Sequence, residues 1–533
     1  MRIEQMSFDQ VVPRIHLLEK IYGSYPEAPP DKTPIDSLPD ELLCEIFGLL
    51  QSDDRFLRKW CRVLWVCRRW SAVGRAAAFL WCNIIIRWMP NRSLIVANLK
   101  YSKNALLTID FRGSDQFAET LPLLSPHIHR IRSFKIYDPL ESATDSSLAT
   151  FLSYPFPSLE IFEDCSQPAQ NPLIWQPDAS DYPRLRNLVL EGSVSIKVAP
   201  TTVFSALTTL ILKESSNPSF TLQSFIQFLT LHPHIEELKL DRYNLAVDSP
   251  FAARMFPRTI RRFALSGYGP NFVKHFLSSF THIPGSVSFF ISQKYDEHEP
   301  EIPPHKGISP IHMLPDPPQR HLHTISRVTS VEIQGNLDDT YILVGCAVLR
   351  GTGTFVAFES HTNSWPPPIA LPRQLFDVVY IFNGAPVTEV ILADKIVGDF
   401  PKGEWVTLFD AFPLLEHIYV GHYIDRHLGD TRAGLFEALL EPTPGGGPRW
   451  PSLRRFTLAY GNCATFSIGA LPQVLQARAE QGTKVDQLCL IFKCGTWTWE
   501  LNWSEERDKL VSWLRDATWR IFVNDISFQL LVV

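Results

Sequence analysis

The chain has 533 residues, past the size at which a single compact core stops growing, so several domains or a repeat array are expected. Apolar residues make up 45% and charged ones 20%, which supplies material for packed interiors and argues against a largely disordered chain. A net charge of −6 gives no general pull toward nucleic acid or an anionic membrane, and no apolar run reaches the roughly 20 residues that span a bilayer.

The first residues mix charge with polarity and show no signal-peptide core, so a cytoplasmic or nuclear protein is expected. Nine cysteines without a Cys-x-x-Cys pair read as reduced thiols and not as a disulfide framework. The 42 prolines exceed the usual share of about 5%. Four of them, Pro26, Pro29, Pro30 and Pro34, mark residues 25–34 as a semi-rigid linker that closes an N-terminal segment, 1–34.

A helix is predicted next. Ser37 precedes Asp40 by three residues, a capping-box pattern, and Pro39 suits a first helical turn. Along it Leu42, Leu43, Ile46, Phe47 and Leu50 fall on one side. Two more apolar series, Leu57/Trp60/Leu64/Cys67 and Trp70/Val73/Ala77, predict a unit of three short helices within residues 35–88. Its apolar residues exceed what three short helices can hide among themselves, so the Leu42/Leu43/Ile46/Phe47 stripe is expected to dock on a partner. Ordinary core of a helical domain is the alternative.

The run Leu38-Pro39-Asp40-Glu41-Leu42-Leu43-Cys44-Glu45-Ile46-Phe47, then Val66-Cys67-Arg68-Arg69-Trp70, then Leu80-Trp81, resembles an F-box. The resemblance implies that Leu38, Pro39, Leu42, Leu43, Ile46 and Phe47 contact a Skp-type adaptor, and through it the cullin and RING subunits of a ubiquitin ligase. Residues Gln51 to Lys59 form a longer connection than the family often has, which leaves the register of the second helix open.

From about residue 125 a weak unit, apolar-x-x-apolar-x-apolar, recurs behind an aromatic residue or His followed by Pro. Tyr182-Pro183-Arg184-Leu185 with Leu188 and Leu190, and His232-Pro233-His234-Ile235 with Leu238 and Leu240, are the clearest copies; the Leu159/Phe162 copy lacks its third apolar residue. The interval of roughly 26 residues falls in the leucine-rich-repeat range of roughly 20–29. Each unit is expected to supply one strand and a helical return, giving an α/β fold: a curved solenoid of parallel strands with outer helices over 89–292 and 324–533. Pro157, Pro183, Pro233, Pro257, Pro413 and Pro451 mark strand starts. Residues 293–323, rich in Pro, read as a flexible insertion, and Tyr341 to Phe358 as a hairpin grafted on the array across Arg350-Gly351-Thr352-Gly353. F-box and irregular repeats together resemble the F-box/leucine-rich-repeat substrate receptors of fungi.

In such strands the residues between inward apolar positions face the concave side. Lys135, Tyr137, Val189, Ile211, Lys239, Arg262, Tyr419 and Arg455 are therefore candidate contacts for a protein substrate; for each, a plain solvated strand position is the alternative. The arginine pairs Arg261-Arg262 and Arg454-Arg455 have the chemistry to hold a phosphorylated partner. His127-x-His129, His232-x-His234 and His321-x-His323 have a spacing a metal can use, but structural histidines are expected, with no metal and no cofactor. Cys489 and Cys494 read as buried thiols flanking a strand. No phosphate-binding loop, nucleophile elbow or zinc-protease motif occurs, so no catalytic residue is expected. The expected role is that of a non-catalytic substrate receptor, monomeric within a hetero-complex; the alternatives are an interaction scaffold without ligase assembly and an enzyme with its site in the 341–358 insertion.

Overall fold

The computed structural model describes residues 37–52, 60–87, 92–112, 117–137, 142–166, 173–192, 194–197, 202–246, 254–294, 310–318, 322–336, 341–348, 355–361, 372–392, 400–421, 433–443, 445–460, 470–494 and 523–532. The linker at 25–34, most of the 293–323 insertion, residues 53–59, His321 and the 350–353 turn lie outside them.

Helix α1 (Asp40–Ser52) opens the described chain, with Asp40 and Glu41 at its positive end. Pro39 stands just ahead of it and not in its first turn, its carbonyl accepting from the Leu43 N–H at 3.2 Å. The second element is a six-residue 3-10 turn, Trp60–Trp65, where an α-helix through Cys67 was expected. Cys67 instead caps α2 (Arg68–Ala76), its Sγ accepting from the Trp70 N–H at 3.4 Å. A 3-10 turn, Ala78–Trp81, completes the helical unit. Its own core is Leu43, Phe47, Trp60, Leu64, Val73, Leu80 and Trp81.

One residue later the chain enters a sheet. The strands are β1 (Asn83–Arg87), β2 (Leu107–Arg112), β3 (Ile131–Ile136), β4 (Ile161–Asp164), β5 (Leu173–Trp175), β6 (Asn187–Leu190), β7 (Val194–Ile196), β8 (Thr209–Thr221), β9 (Glu237–Ala246) and β10 (Arg262–Ser266). They continue with β11 (Ser288–Lys294), β12 (Ser330–Asn336), β13 (Tyr341–Val348), β14 (Phe355–His361), β15 (Glu389–Leu392), β16 (His417–Val420), β17 (Arg455–Tyr460), β18 (Val485–Cys494) and β19 (Val523–Val532). Among the described residues 17 of these form one sheet, while β5 and β7 pair separately. Parallel neighbours follow chain order from β1 to β11 and from β15 to β19. The 341–358 hairpin is not grafted on the outside. It sits inside the sheet: β14 pairs parallel with β11, β13 pairs antiparallel with both β14 and β12, and β12 rejoins the parallel series at β15. An exposed hairpin would leave two unpaired edges, and insertion here removes them.

Each parallel strand points alternate apolar residues into one core shared with the returning helices. Phe134, Phe162, Leu188, Leu210, Leu238, Phe263 and Phe289 stand in register across seven strands, all buried. Helix Leu222–Leu231, capped by Thr221 and Ser224, buries Phe225, Ile226, Phe228 and Leu229 in the same core. Proline placement has a local cause. In Phe156-Pro157-Ser158-Leu159, Tyr182-Pro183-Arg184-Leu185, His232-Pro233-His234-Ile235, Phe412-Pro413-Leu414-Leu415 and Trp450-Pro451-Ser452-Leu453 the fourth N–H donates to the first carbonyl at 3.1–3.3 Å. Proline thus takes the second position of a β-turn, where its fixed φ fits, and the buried first and fourth side chains anchor the turn to the core.

The copy that lacks a third apolar residue places Asp164 there, fully buried in register with Ile136 and Leu190. Its carboxylate accepts from the Val194 N–H at 2.6 Å, the Ser166 N–H at 3.2 Å and the Ser166 hydroxyl at 2.5 Å. It ties β4 to β7, compensating with hydrogen bonds for the missing hydrophobe.

Candidate functional site

Two surfaces carry the candidate residues. The first is α1. Leu43 and Phe47 are fully buried, with the Trp70 ring tilted against Phe47 (centroids 5.3 Å apart), and Gln51 continues their face by donating to the Leu80 carbonyl at 2.7 Å. They build the unit from inside. Leu42, Ile46 and Leu49, at i, i+4 and i+7, form a second face of the same helix that points outward: Leu42 is half-buried, Ile46 36% exposed and Leu49 51% exposed. Leu38, half-buried, and exposed Pro39 stand at the N-terminal end of the helix. The expected Leu42/Leu43/Ile46/Phe47 stripe is therefore split between two faces, one holding the unit together and one turned outward. Leu49 was not anticipated, nor were Trp65 (83% exposed) and Val66. The i+7 spacing from Leu42 was the available signal for Leu49. Gly74 lets the helices close: a Cβ there would lie 2.3 Å from the Leu64 side chain.

The helical unit is packed on the sheet without a spacer. The Trp81 indole donates to the Gly74 carbonyl at 2.7 Å and lies 5.0 Å from the Trp60 ring on one side and 4.8 Å from Tyr101 on the other. Tyr101 ends α3 (Arg92–Tyr101), the helix that returns from β1. Lys103 adds an ammonium-to-carbonyl bond to Ala76 at 3.3 Å.

The second surface is the sheet face opposite the helices. Lys135, Val189, Ile211 and Lys239 fall in one register row, Asp110–Lys135–Glu163–Val189–Ile211–Lys239, as Tyr419 does in the row Ile391–Tyr419–Thr457–Cys489. Arg262 and Arg455 lie two register positions to the strand-start side, Tyr137 just past the end of β3. Charges in the first group are tied across strands: Lys135 to Glu163 at 2.7 Å, Glu191 to Lys213 at 2.6 Å, Arg262 to Glu237 at 2.7 Å. Val189 and Ile211 are the apolar gap between them, Val189 being buried. The Arg112 guanidinium lies 5.1 Å from the Tyr137 ring. Burial, then Cys489 and Glu332, push the Tyr419 hydroxyl above its ordinary range.

Toward the other end, Glu389, His417, Arg455 and Gln487 in one row, and Thr388, Glu416, Arg454 and Asp486 in the row before, enclose a pocket of about 280 Å³. A polar chain crosses it: the Ser330 hydroxyl donates to Glu389 at 2.9 Å, Glu389 meets His417 Nδ1 at 2.7 Å, and His417 Nε2 meets the Thr457 hydroxyl at 3.1 Å. Both acids and bases line this pocket, so it suits a partner of mixed polarity. The two arginine pairs differ, since Arg262 is tied to Glu237 whereas both Arg454 and Arg455 reach the pocket.

One histidine in each of the first two pairs has a structural partner. His232 is buried, its Nε2 accepting from the Phe204 N–H at 2.9 Å and its Nδ1 bonded to the Phe228 carbonyl at 2.7 Å, and burial lowers its basicity. His127 leans on Arg130 at 3.4 Å. Cys489 and Cys494 lie within β18 and do not flank it. Among the described residues no group of three or more metal-binding side chains converges, and no helix is long and apolar enough to cross a membrane.

Residues 35–87 match the F-box-like family model. The match ends with β1, so the segment it covers contains the first strand of the sheet as well as the helical unit. No curated protein matches this chain. F-box domains generally bind Skp-type adaptors, and the domain suggests an adaptor role for this chain.

Proposed function

We propose that the chain is the substrate-receptor subunit of a Skp–cullin–F-box ubiquitin ligase, itself without catalytic residues and acting in the cytoplasm or nucleus. The observation that carries this reading is the outward apolar face Leu42–Ile46–Leu49 beside the Leu38–Pro39 turn, inside the segment that matches the F-box-like family. Left in water it is a liability; covered by an adaptor it becomes an anchor. The long run of parallel strands with helical returns supports a leucine-rich-repeat reading of residues beyond the F-box, with Lys135, Tyr137, Val189, Ile211, Lys239, Arg262, Tyr419 and Arg455 on its recognition face. A target bound there is brought close to a charged conjugating enzyme, and the receptor contributes effective concentration.

The test is co-purification of the full chain with adaptor and cullin. Leu42→Glu with Ile46→Glu should abolish recovery of both while leaving the protein folded. Recovery of adaptor and cullin at wild-type yield would overturn the docking assignment. Adaptor recovered with the wild-type chain but no cullin would favour a scaffold that never assembles a ligase.

A further inference from the structure

Arg69 belongs to the second helix of the F-box unit, yet its guanidinium reaches back across 31 residues to the turn before α1. Its Nη2 donates to the Leu38 carbonyl and to Asp40 Oδ1 at 2.7 Å, and its Nε donates to the same carboxylate oxygen at 3.1 Å. One planar group therefore holds both sides of Pro39. The location is costly by local rules. Arg68 and Arg69 occupy the first turn of α2, where the helix dipole disfavours cations, and that turn has no acidic residue. A cation kept where local electrostatics oppose it points to a task elsewhere.

The task follows from what lies between the two acceptors. Leu38 packs partly against the helical core and Pro39 is exposed. A residue before proline prefers extended backbone, and while the Leu43 N–H of α1 holds the Pro39 carbonyl at 3.2 Å, that bond leaves the Leu38 carbonyl, one peptide earlier, to another donor. Arg69 supplies that donor from the outside, through the fork geometry that lysine lacks.

We infer that Arg69 is a positioning residue for adaptor docking, holding the Leu38–Pro39–Asp40 turn in its binding conformation before the adaptor arrives. The inference rests on the adaptor reading above. A turn that is ordered only part of the time lowers apparent affinity by the ordered fraction, and it does so through the rate of productive encounter.

The experiment has two readouts on the full chain: hydrogen exchange of the Leu38 to Glu41 amides in the free protein, and association and dissociation rates with a purified Skp-type adaptor. Arg69→Ala should speed exchange in that turn and slow association about tenfold, with dissociation within twofold of wild type. Arg69→Lys should not restore the rate, and Asp40→Asn, which keeps the carbonyl bond, should fall between. Faster dissociation with unchanged association would make Arg69 a direct contact and overturn the proposal, as would wild-type exchange in Arg69→Ala. A wild-type chain that fails to bind the adaptor would overturn the docking reading, and the positioning role with it; binding by wild type with wild-type kinetics in Arg69→Ala would overturn the positioning role alone.

Discussion

Substitutions on the two faces of α1 should separate docking from folding. Full burial of an Ile or Leu side chain is worth roughly 1.5–3 kcal/mol. Ile46 keeps 36% of its surface and Leu49 51%, so covering both with an adaptor contributes about 1.3–2.6 kcal/mol, the exposed fraction of that figure. Ile46→Ala with Leu49→Ala should therefore raise the adaptor Kd by up to roughly 8- to 70-fold, at about 1.4 kcal/mol per factor of ten. Leu43 has no exposed surface, and Leu43→Ala should cost about 2–5 kcal/mol of unit stability through the cavity it leaves among Phe47, Leu64 and Trp81. Calorimetric titration of the full chain with adaptor gives the first quantity, and hydrogen exchange across Asp40–Ser52 the second. The outward pair should change affinity with exchange intact; the inward residue should accelerate exchange. A Leu43→Ala variant with wild-type exchange but lost binding, or an Ile46→Ala/Leu49→Ala variant that binds as wild type does, would refute the division of faces.

Three further outcomes are expected. Asp164→Leu restores the apolar type found at its register neighbour Leu190 but strands the Val194 and Ser166 N–H groups, each costing about 1–3 kcal/mol, so denaturant resistance should fall despite the better hydrophobe. Gly192→Ala beside this network places a Cβ 2.2 Å from the Ser166 carbonyl oxygen, and soluble yield and melting temperature should both drop. Burial without a compensating hydrogen bond to one carboxylate oxygen raises Glu404 to about 7. Above its ordinary range the unfolded chain has already released that proton while the folded chain retains it, so stability should decline from about pH 4.5 to about pH 7 and level off beyond. Glu404→Gln should flatten that part of a melting-temperature series against pH.

The parts of the fold that local chemistry decides were readable in the sequence. Aromatic-Pro-x-Leu announces a turn because proline's φ and the two buried flanking side chains act within four residues, and the strand that follows is fixed by alternation. Strands β1 and β2 escaped the repeat pattern because Ile84/Ile86 and Leu107/Ile109/Phe111 alternate strictly, without the turn motif ahead of them. The hairpin was legible as a hairpin, but its place between β11 and β12 depends on pairings some 70 residues apart. Asp164 looked like a defect because its main partner, Val194, lies 30 residues on. On α1, periodicity found Leu42, Leu43, Ile46, Phe47 and Leu50 but missed Leu49 and merged two faces into one, since a helix with apolar residues over more than half its circumference does not say which side its neighbours will take. Arg69 carried no signal beyond its place in a motif, because its acceptors come from another helix's approach.

The joint between the two surfaces bears on the proposed role. A flexible linker would let a bound target sample many orientations, and its effective concentration near the conjugating enzyme would fall with linker length. Here Cys82 alone separates the Ala78–Trp81 turn from β1, and its carbonyl already accepts from the Thr108 N–H at 3.0 Å in the next strand. Trp81 belongs to the core of the helical unit while its ring rests on Tyr101 of the helix that follows β1. Side-chain packing therefore sets the angle between the outward face of α1 and the first strands of the sheet. Under the proposed role, the protein selects which lysines of a target come within reach through this fixed angle and through where the target sits along the sheet.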